Sequence, residues 1–331
     1  MHSKLERRTF GSAMLQTKRN LQAERGARAL EGYTYDFTDR SRGSDKLCII
    51  LAGYKHQLWD DVFARLAAFI PSGIDVCIMT SGLTDGGLQS IAAEHEWSYL
   101  STSVNHLSLV QNLAIDCHPA ARWIYKLDED VFITKGFFEA LMDTFVDVRD
   151  NSPYEPAFTA PLLNVNCYGH LRLLERMSLL DDFRALGLTE MKNGDGMKRN
   201  QSALRDPRVA TYLWGETQPV LRGIDALSGP FAAENAGWTV CPVRFSIGAI
   251  LFERALWDEM GKFPITFVGS EFGLGDDEEF LCRYAYETCR AMVVCESNVA
   301  GHLGYGGAQT KRMLEYHAEH PERFALKQSI G

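Results

Sequence analysis

Residues 123–133 read WIYKLDEDVFI, an apolar run that breaks on three adjacent carboxylates, Asp128, Glu129 and Asp130. Like charges this close repel and raise one another's pKa unless something positive sits among them. Two readings are open. Either the cluster is solvated on a turn, or a cation or phosphate-bound metal holds it together.

The neighbouring segments place the cluster. KLCIILAGY (46–54) is a short apolar run ending at Gly53, and IDVCIMTSG (74–82) is a second ending in Thr80, Ser81 and Gly82; both predict buried strands. Between them LWDDVFARLAAFI puts Leu58, Val62, Leu66 and Phe69 on one helical stripe. A helix from GLQSIAAEH, a strand at WSYLST and a helix from LSLVQNLAIDC follow, and RWIYKLDEDVFI (122–133) reads as the next strand. The helix KGFFEALMDTFVDVRD then offers Phe137, Leu141, Phe145 and Val148 to a core. Such alternation predicts an α/β fold with a mostly parallel central sheet and helices on both faces. Ligands of these sheets bind beyond the carboxyl ends of the strands, where Gly53, Ser81 and the acidic cluster all fall.

Beyond residue 150 the pattern is less regular. NGDGMKRNQSALRDPRVATYLWGETQPVLRG (193–223) is polar and punctuated by Gly and Pro, and predicts an insertion or lid over a site. VCPVRFSIGAILFERALWDEMGKFP (240–264) reads as strand then helix, GSEFGLGDDEEFLCRYAYETCR as a Gly-rich loop entering a helix, AMVVCES as a strand, VAGHLGYGG as a loop and KRMLEYHAEHPERF as a surface helix. The expected organisation is an N-terminal extension (1–45), a first half (46–150) and a second half (151–331) carrying an insertion around 190–235.

Composition narrows the function. With 331 residues, 46% of them hydrophobic, the chain has length for a substantial core. A net charge of −9 argues against a general nucleic-acid binder. Residues 1–28 run the other way: Lys4, Arg7, Arg8, Lys18, Arg19, Arg25 and Arg28 face only Glu6 and Glu24. That basic segment is read either as a solvated tail or as a peripheral contact with an anionic membrane. No stretch reaches the roughly 20 apolar residues of a membrane span. The eight cysteines form no CxxC pair and read as small buried hydrophobes in a reducing compartment, so a cytoplasmic location is expected.

Three constellations carry possible chemistry. Asp128 and Asp130, one residue apart at a strand end, can offer oxygens to one hard cation and its waters, Mg²⁺ or Mn²⁺ with phosphate; a solvated acidic turn is the plain alternative. Asp276 and Asp277 open a predicted helix, where they either cap it or place one carboxylate in the cleft as a general base oriented by its neighbour or by Arg283. His302 enters a Gly-rich loop after a strand, where a neutral imidazole would complete an oxygen-rich metal site. Asn112 could present an amide to the cleft, and Trp238 and Arg244 could stack on and orient a sugar or an acid.

This order of features resembles the GT-A fold of nucleotide-sugar glycosyltransferases, most closely the large inverting family that includes cellulose, chitin and bacterial polysaccharide transferases. The resemblance covers roughly residues 46–310. It implies that Ala52, Gly53, Tyr54, Ser81, Asn112 and Asp128 bind the nucleotide-sugar, and that Asp128, Asp130 and His302 surround the metal. It makes Asp277 the catalytic base, Asp276 an orienting acid, Arg283 a structural partner, and Trp238 and Arg244 acceptor contacts. The implied reaction moves a sugar from a nucleoside-diphosphate sugar, UDP-sugar favoured, to a saccharide or glycoconjugate hydroxyl with inversion, in polysaccharide or glycoconjugate synthesis. The first strand departs from the family by ending LAGYKHQLW, and Asp stands at 276 in place of the usual Glu. A retaining transferase, a sugar-phosphate nucleotidyltransferase and a non-enzymatic carbohydrate- or nucleotide-binding module are the competing readings. An aspartyl-phosphate phosphohydrolase fits poorly because Phe132 stands where Thr or Val is required.

Overall fold

The computed structural model describes residues 31–166, 168–188, 205–234, 237–241, 246–265, 276–305 and 307–326. The basic segment 1–28, Arg244 and the first part of the 190–235 insertion therefore lie outside the described residues.

Ten strands form one sheet among the described residues. They are β1 (Tyr35–Thr38), β2 (Lys46–Leu51), β3 (Asp75–Ser81), β4 (Ser98–Thr102), β5 (Trp123–Asp128), β6 (Val131–Phe132), β7 (Pro156–Leu163), β8 (Trp238–Val240), β9 (Ala249–Glu253) and β10 (Ala291–His302). Their order is β1-β4-β3-β2-β5-β9-β7-β10-β6, with β8 also on β10. The pairings make β2, β3, β4, β5, β7 and β10 all point one way, while β1, β6, β8 and β9 run against them. Every residue of β3, β4 and β7 is buried, which requires cover on both faces. The predicted α/β architecture is the one present.

The helices follow the sequence pattern. In the helix Trp59–Phe69, Val62 and Leu66 are buried, and in Phe137–Asn151 the predicted stripe Phe137, Leu141, Phe145 and Val148 is buried throughout. The tail helix Ala308–Glu319 is less superficial than expected, because Met313 and Tyr316 are fully buried.

Four segments differ from the expectation. RWIYKLDEDVFI is two strands: β5 stops at Asp128, and Val131–Phe132 pairs instead with Gly301 and His302. YDFT, placed in the N-terminal extension by the sequence, is β1 on an edge. PAFTAPLL forms β7, unread because of its two prolines. VAGH, read as a loop, is the end of β10. That strand also carries a bulge: Cys295 pairs with Pro161 and Val299 with the next residue, Leu162, so Glu296, Ser297 and Asn298 are extra.

The consequence for the site is positional. The ends of β2, β3, β5 and β10 meet on one rim. Because β9 is reversed, its start reaches the same rim, where Asp128 N–H donates to Gly248 O at 2.8 Å.

Candidate functional site: an acidic cleft at the strand ends

Each of the three carboxylates has its own protein partner. Lys126 and Asp128 are two apart on β5 and share a face. The buried Lys126 ammonium donates to Asp128 Oδ1 at 2.8 Å and to Ile247 O at 2.9 Å, and lies 3.9 Å from Asp277 Oδ2. Glu129 accepts from Gly53 N–H (2.9 Å), Tyr54 N–H (3.0 Å) and the Trp59 indole N–H (2.8 Å). Asp130 holds the Lys55 ammonium at 2.9 Å, and His302 Nε2 stands 3.7 Å from the same oxygen.

These contacts show the protein itself neutralising the cluster, which the sequence had left to solvent or to a cation or phosphate-bound metal. Two lysines, two backbone amides and an indole already do much of that work. Burial disfavours a charged lysine, but the surrounding carboxylates outweigh it, so Lys55 and Lys126 are both held above the usual lysine value. Burial pushes Asp130 up, but Lys55 and His302 outweigh it and its pKa falls below the usual value. Asp128 ends raised: burial dominates, Asp130 and Asp277 repel its charge, and Lys126 offsets them only in part.

The turn after β2 is built around Glu129. Gly53 adopts φ +131°, a conformation L side chains rarely take, and this aims two consecutive N–H groups at the carboxylate. Ala52 N–H continues the sheet to Met79 O. Tyr54 is exposed at the rim, its hydroxyl donating to Ser81 O at 2.7 Å.

Asp277 reaches the same cleft from the first turn of the helix Asp276–Glu287. It is 1% exposed, and Gln111 Nε2 donates to its Oδ2 at 2.9 Å. Both of its contacts fall on Oδ2, and among the described residues Oδ1 receives none. The cleft encloses about 200 Å³ and is lined by Tyr54, Lys55, Lys126, Asp128, Gly248 and Asp277, among others. A first side-chain carbon at 248 would stand in ordinary contact with Asp128 Oδ2, at 3.4 Å.

No protein-family model and no curated protein matches the chain. Solved structures similar to it include the mannosyltransferase PcManGT from Pyrobaculum calidifontis in complex with GDP-Man and Mn²⁺, at 15% identity and TM-score 0.43, over 95% of this chain and 72% of that one. S. aureus TarS 1–349 is similar at 13% identity and TM-score 0.41, over 85% of this chain and 67% of that one. The longer S. aureus TarS chain gives 13% identity and TM-score 0.39, with 85% and 40% covered.

Several residues singled out in the sequence are not brought to the cleft. Asn112 is spent on packing: its Nδ2 donates to Phe263 O (2.8 Å), and its Oδ1 accepts from the Trp257 indole (3.0 Å) and Phe263 N–H (3.1 Å). Arg283 is exposed, 3.8 Å from Glu287 and stacked over Phe280. Six residues from Asp277 it lies about 240° round the helix, so Gln111 and Lys126 stand where it was expected. Trp238 sits in β8 opposite Cys295, seven residues along β10 from His302, with its indole N–H donating to Asp147 at 2.8 Å. It does not reach the cleft. Ser81 is buried, and its hydroxyl accepts from His106 N–H at 2.7 Å. The Asp276 side chain lies outside what the structure describes.

The donor set can be tested for a divalent ion. His302 Nδ1 lies 2.6 Å from Val165 O; a carbonyl only accepts, so Nδ1 carries a proton and Nε2 is the ring nitrogen that faces Asp130. Ligands about 2.1 Å from an octahedral ion sit about 3.0 Å apart, so the 3.7 Å spacing needs only slight closure. Among the described residues no group of three His, Cys, Asp or Glu side chains surrounds one point. The pair Asp130 and His302 thus fits an ion that takes its remaining ligands from water and a bound phosphate.

Proposed function

We propose that this chain is a glycosyltransferase that takes a sugar from a nucleoside-diphosphate donor to a hydroxyl acceptor, with a divalent ion at Asp130 and His302. One observation carries the reading. A buried carboxylate from a helix start, Asp277, and the strand-end Asp128 line one polar cleft and are joined through Lys126, with Asp130 reached from that cleft through Lys55. A simple binding module has no need for a buried carboxylate that lines the cleft and takes both of its contacts on one oxygen, whereas a general base does.

In this reading Tyr54 and the turn after β2 meet the nucleotide, and Asp128 the donor. The ion, when bound, would offset charge developing on the leaving diphosphate. Asp277 Oδ1 accepts the proton of the acceptor hydroxyl while Gln111 and Lys126 hold Oδ2. That division of labour favours inversion, since a retaining path needs no base there. UDP-sugar is the favoured donor, with Arg244 toward the acceptor. A polysaccharide or glycoconjugate role, with residues 1–28 on an anionic membrane, completes the proposal. Among the described residues no helix is long and apolar enough to cross a membrane.

The test is a screen of UDP-, GDP- and CDP-sugars with and without Mn²⁺, reading donor hydrolysis or transfer, with the product anomer assigned by NMR. Mn²⁺-dependent turnover of one donor with inverted configuration is expected. No turnover and no binding of any nucleoside diphosphate would refute the assignment, and a retained anomer would refute the role of Asp277.

A further inference from the structure

Lys55 has a part that the resemblance did not assign. Its backbone is fixed, because Glu129 grips the two preceding amides and Lys55 O accepts from Leu58 N–H at 2.9 Å. Its side chain is a flexible four-carbon stem, one-quarter exposed, lining the cleft. Its ammonium rests on Asp130 Oδ2, the oxygen that faces His302 Nε2. Two cations cannot share that oxygen without strong mutual repulsion. An ion seated between Asp130 and His302 therefore requires the ammonium to leave.

We propose that Lys55 is a resident cation of this site, one that holds Asp130 while the cleft is empty and transfers its ammonium to the diphosphate when ion and nucleotide load together. The inference rests on the donor-site reading above and deepens it. The geometry makes loading an exchange. The ion alone must displace Lys55 into a cleft whose carboxylates nearest to it are already engaged, Asp128 by Lys126 and Glu129 by amides and indole, while Asp277 already faces Lys126 and Gln111. The ion together with a diphosphate supplies a new anion within reach of the same stem. Lys55 thus opposes the bare metal and favours the metal–nucleotide pair. The middle acid of the cluster has a purpose in this scheme, since Glu129 shapes the turn that delivers Lys55.

The experiment compares wild type with Lys55→Met by titration calorimetry and Mn²⁺ EPR, first with MnCl₂ alone, then with UDP or GDP at saturating Mn²⁺. The expected result is a crossing of effects. The variant binds Mn²⁺ alone about tenfold more tightly, and binds the nucleotide about tenfold more weakly. Lys55→Gln, which keeps a hydrogen-bond donor for Asp130 without the charge, should show the same crossing and covers the case in which Met impairs folding. Unchanged Mn²⁺ affinity, or nucleotide affinity that falls without the gain for Mn²⁺, overturns the exchange while leaving the donor site standing. If wild type itself binds neither UDP nor GDP with Mn²⁺, the donor-site reading falls and takes this inference with it.

Discussion

Replacing Lys126 by Met should destabilise the protein more than any other single change at the cleft. The ammonium lies 2.8 Å from one carboxylate and 3.9 Å from another. At an effective dielectric of about 20, Coulomb's law gives about 6 and about 4 kcal/mol for these two attractions. Desolvation of a lysine only 2% exposed cancels much of that in the intact protein. Removing one partner is different, because it leaves buried charge unmatched, at a cost of about 3–5 kcal/mol. Asp128 keeps a side chain 31% exposed, so water rescues it in part, and about 3 kcal/mol is the expected loss. For a chain of this size that is a fall in Tm of about 4 °C by differential scanning calorimetry. The double variant Lys126→Met with Asp128→Asn removes one unmatched charge and should regain about half. A fall below about 1 °C, or a double variant no better than the single, would refute the account of Lys126 as the cation that makes two acids tolerable.

Asp277→Asn should lower turnover about 10²–10⁴-fold with donor affinity little changed, since the amide keeps shape but cannot accept the proton; near-normal turnover in a chemistry-limited assay would sink the base assignment. Asn112→Ala should cost about 3 kcal/mol in urea unfolding, because the Trp257 indole and Phe263 N–H lose their acceptor, yet leave nucleotide affinity within about twofold. Glu296→Gln should cost about 2 kcal/mol at neutral pH. Burial raises the Glu296 pKa, but Arg172, Arg176 and Thr239 outweigh it and the value falls below 4.5. The wild-type advantage is therefore full above pH 4.5 and should shrink as pH falls through the lowered folded value; unfolding curves at pH 7, 5 and 3.5 that keep a constant gap would contradict it.

The first half of the fold was legible because its strands are buried on both sides and so appear as unbroken apolar runs such as LCII and VCIM. The second half hid its strands. Pro156 and Pro161 disguised β7, and Gly301 disguised the end of β10. Asp128, Asp130, Asp277 and His302 could be marked as candidates because carboxylates and imidazoles stand out at strand ends and helix starts. Their neutralising partners did not stand out, though two had a local signal. Lys126 is two residues before Asp128, and that spacing on a strand fixes a common face. Lys55 follows directly on the turn that ends β2. Gln111 had none: its contact with Asp277 spans 166 residues, and the adjacent Asn112, about 100° further round the helix, looked equally suitable. The Arg283 pairing could have been dismissed on helical phase alone.

The bulge in β10 sets what insertions and deletions the strand can absorb. Cys295 and Val299 face successive residues of β7 although four positions separate them. Losing Glu296, Ser297 and Asn298 together would make Cys295 and Val299 immediate neighbours, still matched to Pro161 and Leu162. His302 would keep its place beside Val131. Losing one or two of the three leaves a remainder that must be looped out afresh or taken up by sliding the strand, and a slide of one residue turns the imidazole to the opposite face. The segment is thus a removable cassette: it carries the arginine clamp on Glu296 while the strand on either side keeps its own count.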